Sequence, residues 1–343
     1  MEEWKKVKLG EILNFRRGHD LPHSEMQEGI IPVAGSNGII GFHNVATPIQ
    51  PIITIGRSGN IGVPYFYDIA WAHNTTLYID DFKGNNPKYL YYLLKTLPLS
   101  SFQGGSAVPT LNRNHIHPIE VYYTDNIVEQ DKIVSILSSL DNKIELNRRI
   151  NDNLEQQAIA LFDYMFPSIT TGDYKIGDWL KPKRGIGLLT KDTILGDVPV
   201  VAGGLRPAAY HNKANTLSPV VTISASGANA GYVALWNKPV WSSDSSYIDS
   251  SLTSDVYFWY VMLKKRQKEI FDAQTGSAQP HIYPQHIAEL PIKQLEKEQI
   301  IKYTEQATPL IKMVGNLTEE NIKLAQLRDT ILPKLMSGEL KIS

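Results

Sequence analysis

The chain has no cysteine among its 343 residues, which excludes a disulfide framework, a thiolate metal site and a cysteine nucleophile. It has no apolar run long enough for a membrane-spanning helix. Its start, Met1-Glu2-Glu3-Trp4-Lys5-Lys6-Val7-Lys8, lacks the apolar segment of a secretory leader, so a cytoplasmic location without a membrane partner is expected. Excess charge is missing too: 34 Lys and Arg oppose 35 Asp and Glu, a net of −1, which counts against a general nucleic-acid coat. The usual catalytic signatures are also absent. There is no P-loop, and Gly185-Ile186-Gly187 lacks the third glycine of a dinucleotide fingerprint. In Gly56-Arg57-Ser58-Gly59 the second glycine comes one residue too early for a nucleophile elbow. His115 and His117 stand two apart, outside metalloprotease spacing. No catalytic residue, metal site or bound cofactor is therefore assigned to the chain.

What is present is a globular composition, 42% apolar and 20% charged, over a length that suits about two domains. The two are copies of one plan. Pro32-Val33-Ala34-Gly35 precedes Val200-Val201-Ala202-Gly203 by 168 residues, and His43-Asn44 precedes His211-Asn212 by the same interval. Pro51-Ile52-Ile53-Thr54-Ile55 matches Pro219-Val220-Val221-Thr222-Ile223, and Ser58-Gly59 matches Ser226-Gly227. Gly105-Ser106-Ala107 and His115-Ile116 recur at Gly276-Ser277-Ala278 and His286-Ile287 after an interval of 171. An ordered series of this kind marks a tandem duplication.

Each copy changes texture once. Residues 1–126 and 173–293 are rich in Gly, Pro and short β-branched runs, which predicts two α+β globules of short strands and many turns. One helix is expected near Pro87–Lys95 and its counterpart near Asp255–Phe271. Residues 127–166 and 294–337 instead carry a heptad seam. In the first stretch the seam runs through Leu137, Leu140, Ile144, Asn147, Asn151, Leu154 and Ala158. In the second it runs through Tyr303, Ala307, Leu310, Val314, Leu317, Asn321, Leu324 and Arg328. Two long helices pairing antiparallel as a coiled coil are expected, with Asp125 or Asn126 capping the first, Pro167 closing it, and Pro333 kinking or stopping the second. Asparagines in the seam cost stability and fix register.

The two globules share Gly-rich polar loops at equivalent places. The first offers Arg57, Ser58 and Asn60, then His73 and Asn74, then Gln103 and Ser106, then Asn112 and Arg113. The second offers Ser226 and Asn229, then Ser243 and Asp244, then Gln274 and Ser277, then Gln279 and His281. Glycine lets a backbone approach closely, and these side chains are the types that read base edges and phosphates. Lys5, Lys6, Lys8, Arg16 and Arg17, and in the second copy Lys181, Lys183 and Arg184, form equivalent basic clusters suited to phosphate. Taken singly, each loop also reads as ordinary turn chemistry; the set, twice over, points to a DNA-reading surface.

The pattern resembles the specificity (S) subunit of type I restriction–modification systems. The resemblance rests on Trp4-Lys5-Lys6-Val7-Lys8-Leu9-Gly10-Glu11-Ile12 and its echo Tyr174-Lys175-Ile176-Gly177-Asp178-Trp179-Leu180. It rests also on Gly105-Ser106-Ala107-Val108-Pro109-Thr110-Leu111-Asn112 followed by Glu129-Gln130-Asp131-Lys132-Ile133, and on the tail Leu324 to Leu340. It implies two target recognition domains related by a pseudo-two-fold, each reading one half of a bipartite double-stranded DNA target, with the helices as spacer and docking surface. It also implies two modification (methyltransferase) subunits and restriction/translocase subunits as partners, which would carry S-adenosylmethionine, ATP and Mg. The competing class is a coiled-coil adaptor whose globules bind protein or glycan, with Trp71, Trp236, Trp241 and Tyr65 to Tyr67 as stacking platforms; core packing accounts for those aromatics more simply.

Overall fold

The structure, a computed structural model, describes residues 4–104, 110–276 and 279–342, with backbone alone at residues 103 and 104. The chain divides into two compact units, Met1–Asn142 with Ala325–Ser343, and Lys143–Leu324.

In the first unit the β-branched run Ile52–Gly56 forms a central strand, buried along its whole length. It pairs antiparallel with Thr76–Asp81 on one side and Pro64–Tyr67 on the other, and Asn14–Arg17 completes the sheet at the edge beside Thr76–Asp81. A second sheet sets Ile31–Gly35 between an antiparallel neighbour, Gly38–His43, and a parallel one, Trp71–Ala72. Lys5–Lys8 pairs with Glu120–Tyr123. The helix Pro87–Lys95 starts where Asn86 accepts from the backbone N–H groups of Lys88 and Tyr89, with proline in the first turn, where its missing donor costs nothing. Its apolar face (Tyr89, Leu90, Leu93, Leu94) joins Ile53, Ile55, Leu77 and Ile79 in one core.

The second unit repeats this topology strand for strand. Val220–Ser224 lies between Ser245–Asp249 and Val233–Trp236, and Lys183–Arg184 takes the edge beside Ser245–Asp249. Val198–Val201 pairs antiparallel with Ala209–His211 and parallel with Trp241–Ser242, and Tyr174–Lys175 pairs with Pro291–Ile292. Details recur as well. His43 Nδ1 accepts from the Gln27 amide and His211 Nδ1 from the Ile194 amide, and each ring meets a tryptophan edge-on, Trp71 and Trp241.

One expected helix is broken. The stretch Asp255–Phe271 forms Val256–Lys265 and Gln267–Asp272, divided at Arg266. Arg266 is buried, and its guanidinium holds Glu269 and donates to the Pro291 carbonyl at 2.7 Å; that long-range contact overrides a continuous helical pattern.

The long helices span Ile127–Met165 and Lys297–Met336. Asn126 starts the first, its Oδ1 accepting from Val128 N at 2.9 Å. The second runs through Pro333 to Met336, so this proline is no break; only three helical residues follow it. Within the second unit the pairing is antiparallel. Asn147 Nδ2 donates to Asn321 Oδ1 at 2.9 Å and to Glu320 Oε2 at 2.8 Å, Asn151 Nδ2 to Thr318 Oγ1 at 3.2 Å, and Tyr303 Oη to the Ala158 carbonyl at 3.0 Å. Phe162 is enclosed there by Phe166, Phe258 and Tyr303. Within the first unit Leu137 shares a core with Leu332 and Leu335, and Arg328 pairs with Asp141 at 2.7 Å. An arginine on the seam is thus neutralised by an acidic neighbour that also accepts from Tyr92 Oη.

Candidate nucleic-acid interface

In the first unit the edge strand Asn14–Arg17 and three loops meet at one place. The strand continues into Gly18, whose amide donates to the Thr76 carbonyl at 3.0 Å, and His19, whose amide donates to the Ala72 carbonyl at 2.8 Å. The Arg57 amide donates to the Thr75 carbonyl, and the Arg57 carbonyl accepts from the Leu111 amide, both at 2.8 Å. Gly59, at φ +78, supplies the left-handed residue that turns this loop. Arg113 heads a short helix, Arg113–Ile116, capped by Asn112, whose Oδ1 accepts from Asn114 N at 3.0 Å. The Arg113 guanidinium donates to the Phe15 carbonyl at 3.3 Å, which ties this helix to the edge strand.

The structure therefore gathers Arg16, Arg17, Arg57, Ser58, His73, Asn74, Asn112 and Arg113 around that edge. Asn60 lies at the tip of its loop, with Nδ2 3.4 Å from Tyr65 Oη. Gln103 is described by its backbone alone, and Ser106 lies outside the described residues. His73 is held below its ordinary pKa by burial, so it is a neutral partner there, with Nδ1 3.0 Å from Thr75 Oγ1.

In the second unit the Ser226 loop, the Asp244 loop and the segment around His281 are joined by backbone bonds. The Ala225 amide donates to the Asp244 carbonyl at 3.1 Å, Gly227 to Pro280 at 3.1 Å, and Ile282 to Ala225 at 2.9 Å. Lys183 and Arg184 stand on the adjoining edge strand, and Arg184 Nη2 donates to Asp244 Oδ1 at 2.7 Å. Gln274 is turned inward, with Nε2 donating to the Ala230 carbonyl at 2.8 Å, and Ser243 is buried with its Oγ accepting from Leu188 N. Both act as pins for the loops that carry the exposed groups. Asn229 is half-buried, Gln279 is exposed, and His281 bridges Ser226 and Thr275. Ser277 lies outside the described residues.

The seam residues Leu137, Leu140, Ile144, Asn147, Leu154, Leu310, Val314, Leu317, Asn321 and Leu324 are buried or half-buried. Three residues that hold the first cluster were not read from the sequence. Asp20 pairs with Arg17 at 3.5 Å and accepts from Asn74 Nδ2, Thr75 supplies the carbonyl that fixes Arg57, and His117 Nε2 accepts from the Phe15 amide at 3.1 Å. The three-residue step from Arg17 to Asp20 was the available signal for the first. The chemistry gathered in each unit is arginine, lysine, amide and hydroxyl groups on glycine-turned loops, suited to base edges and phosphates. Among the described residues no cluster of His, Asp and Glu could hold a metal ion, and no helix is long and apolar enough to cross a membrane.

Residues 1–156 match the model of the type I restriction modification DNA specificity domain. The chain is 25% identical to the specificity subunit of the type I restriction enzyme MjaIX from Methanocaldococcus jannaschii, over 80% of this chain and 75% of that one. It is 22% identical to a Mycoplasma genitalium protein named as a type I specificity subunit, over 97% and 93% of the two chains. Its first 156 residues thus match a type I specificity domain, and along most of its length the chain is similar to type I specificity subunits. The fold agrees: a crystal structure of a type I restriction–modification S subunit from M. genitalium superposes with a TM-score of 0.62 at 18% identity, covering 99% of this chain and 97% of that one. This likeness supports a non-catalytic role, DNA specificity in a type I restriction system, and the adaptor reading finds no support.

Proposed function

We propose that each globule reads one half of a bipartite double-stranded DNA target, and that the paired helices set the spacing between the half-sites and dock two modification subunits. The observation that carries this reading is the duplication itself. Sheet order, strand register and glycine-turned loops recur in both units, while the side chains on those loops differ. A shared scaffold with divergent loop chemistry is what two readers of different sequences require. In this reading the methylation and cleavage chemistry belongs to partner subunits: S-adenosylmethionine to the modification subunits, ATP and Mg to restriction/translocase subunits. The assembly works on DNA in the cytoplasm.

The test is to insert one heptad into each long helix at facing positions, which keeps the seam in register. Seven residues lengthen a helix by about 10 Å, or about three base pairs of DNA. Adenine-methylation mapping of cells carrying the lengthened subunit with its partners should show the same two half-sites around a longer spacer. Altered half-sites would overturn the reading.

A further inference from the structure

Arg184 and Asp244 form an arrangement that stability does not explain. Arg184 ends the short edge strand Lys183–Arg184, opposite Ser246. The backbone that follows is fixed: Gly185 N donates to Ser245 O at 2.8 Å, Ile186 N to Ser242 O at 2.9 Å, and Leu188 N to Ser243 Oγ at 2.9 Å. The guanidinium reaches Asp244 Oδ1 through Nη2 at 2.7 Å, and the other carboxylate oxygen accepts from Ser226 Oγ. Both oxygens of Asp244 are thus engaged, which orients the carboxylate, and its bond to Nη2 holds the guanidinium beside it. The arginine side chain is 41% exposed. An exposed ion pair of this kind contributes little to stability. Asp244 takes one of the two Nη2 hydrogens; among the described residues Nε and Nη1 have no hydrogen-bond partner, so the second Nη2 hydrogen and one of these neighbours leave a fork of donors at the surface.

The first unit builds the same device from other parts. Arg17 has the equivalent place on the edge strand, opposite Leu77, and Asp20 lies 3.5 Å from its Nη2. Asn74 then does for Asp20 what Ser226 does for Asp244, donating from its amide. A carboxylate that is itself held therefore steadies an arginine at one topological position in both copies.

We propose that Arg184 reads a guanine in the half-site of the second globule, and that Asp244 and Ser226 are its positioning residues. The proposal rests on the bipartite DNA reading above. A planar fork matches the O6 and N7 acceptors of guanine in the major groove, whereas a lysine offers a point charge. A fork fixed before binding loses less side-chain freedom on contact. A phosphate also accepts a forked arginine, but it carries no sequence information, so base preference at a single position separates the two contacts.

The experiment selects duplexes from a randomised library with the full chain assembled with its methyltransferase partner, and sequences the bound fraction. Wild type should enrich a bipartite motif with an invariant guanine in one half. R184K keeps the charge and loses the fork; it should lower the preference for guanine at that one position by roughly 5- to 150-fold, leaving the other positions and the other half-site unchanged. D244A should relax the same position, and D244N, whose amide oxygen still accepts from Arg184, should restore most of it. A purely structural role would not move the base preference at a single position. The proposal is overturned if R184K retains the full motif, or if it weakens all sequences equally, as loss of a phosphate contact would. A wild-type assembly that selects no bipartite motif would refute the functional reading itself, whatever Arg184 does.

Discussion

Replacing Asn147 with alanine removes the centre of a polar layer in the helix pair of the second unit. Asn147 is fully buried, and its Nδ2 serves Glu320 Oε2 at 2.8 Å and Asn321 Oδ1 at 2.9 Å. A hydrogen bond to a charged acceptor contributes about 1.5–3 kcal/mol and a neutral one about 0.5–1.5 kcal/mol. Against this, Asn147 Oδ1 is buried with no partner, a cost of about 1–3 kcal/mol that alanine removes. The net loss is about 1 kcal/mol, which in a unit of this size lowers the melting temperature by roughly 2–4 °C. The sign matters more than the size, because it depends on whether the two donated bonds outweigh the orphaned carbonyl.

The double variant N147L/N321L separates the terms. Replacing both partners with apolar groups removes the orphan and the bonds together, which is neutral or stabilising. Glu320 keeps Lys143 at 3.7 Å as its ion-pair partner. The double variant should therefore melt at or above wild type, and it should lose the single register that a buried asparagine imposes, appearing as mixed oligomers in analytical ultracentrifugation. Scanning calorimetry of the two variants decides the matter. An N147A protein that melts like wild type, or a double variant less stable than the single one, would refute the reasoning.

Two further expectations concern the loops and two half-buried histidines. A Cβ at Gly185 would lie 2.4 Å from the Ser242 carbonyl, whereas one at Gly204 would meet nothing closer than 3.5 Å; G185A should displace the strand carrying Arg184 and weaken selection of the second half-site alone, and G204A should leave binding as it is, both read by selection from a randomised duplex library. His73 and His117 are both held below the ordinary histidine value of 6.5, first by burial, and for His117 also by Arg113 and Lys83. The unfolded chain then binds protons that the folded one refuses, so each contributes stability that is present above about pH 6.5 and lost as the pH falls. H117Q, which can still accept from the Phe15 amide, should flatten the dependence of the melting temperature on pH between 7.5 and 5.5; an unchanged slope would count against it.

The duplication and the helices were legible because each leaves a periodic trace. The runs Pro51 to Ile55 and Pro219 to Ile223 are apolar but for Thr54 and Thr222, as suits strands covered on both faces, and both became inner strands of a four-stranded sheet. The heptad stripes became buried seams, and Asn126 became the cap its residue type predicts. The break at Arg266 left no such trace. Asp255 to Phe271 reads as one helix, and what divides it is a guanidinium drawn to a carbonyl at Pro291, a contact no local pattern encodes. The loops fell between these cases. Their composition announced polar surfaces, yet Ser243 and Gln274 turned inward to hold the backbone, and Asp20 proved to be a strut. Residue type sets what a side chain can bond; only the fold decides whether another part of the chain takes that bond first.

Where the two copies agree and where they differ follows from the same distinction. Gly18 and Gly185 occupy equivalent places, and a Cβ on either would lie within 2.4 Å of a carbonyl oxygen, at His73 and Ser242. Gly29 and Gly196 would collide in the same way with the carbonyls of His43 and His211. These positions are closed to any side chain, so the edge strand and the hairpin keep one backbone path in both units. Arg57 faces no such constraint, and the second copy has Ala225 there; Thr75, whose carbonyl accepts from the Arg57 amide, is answered by Asp244, whose carbonyl accepts from the Ala225 amide. At these places the copies vary in side chains standing on one backbone path, which in the proposed reading would let one globule change the sequence it reads while the other, built on the same frame, reads another.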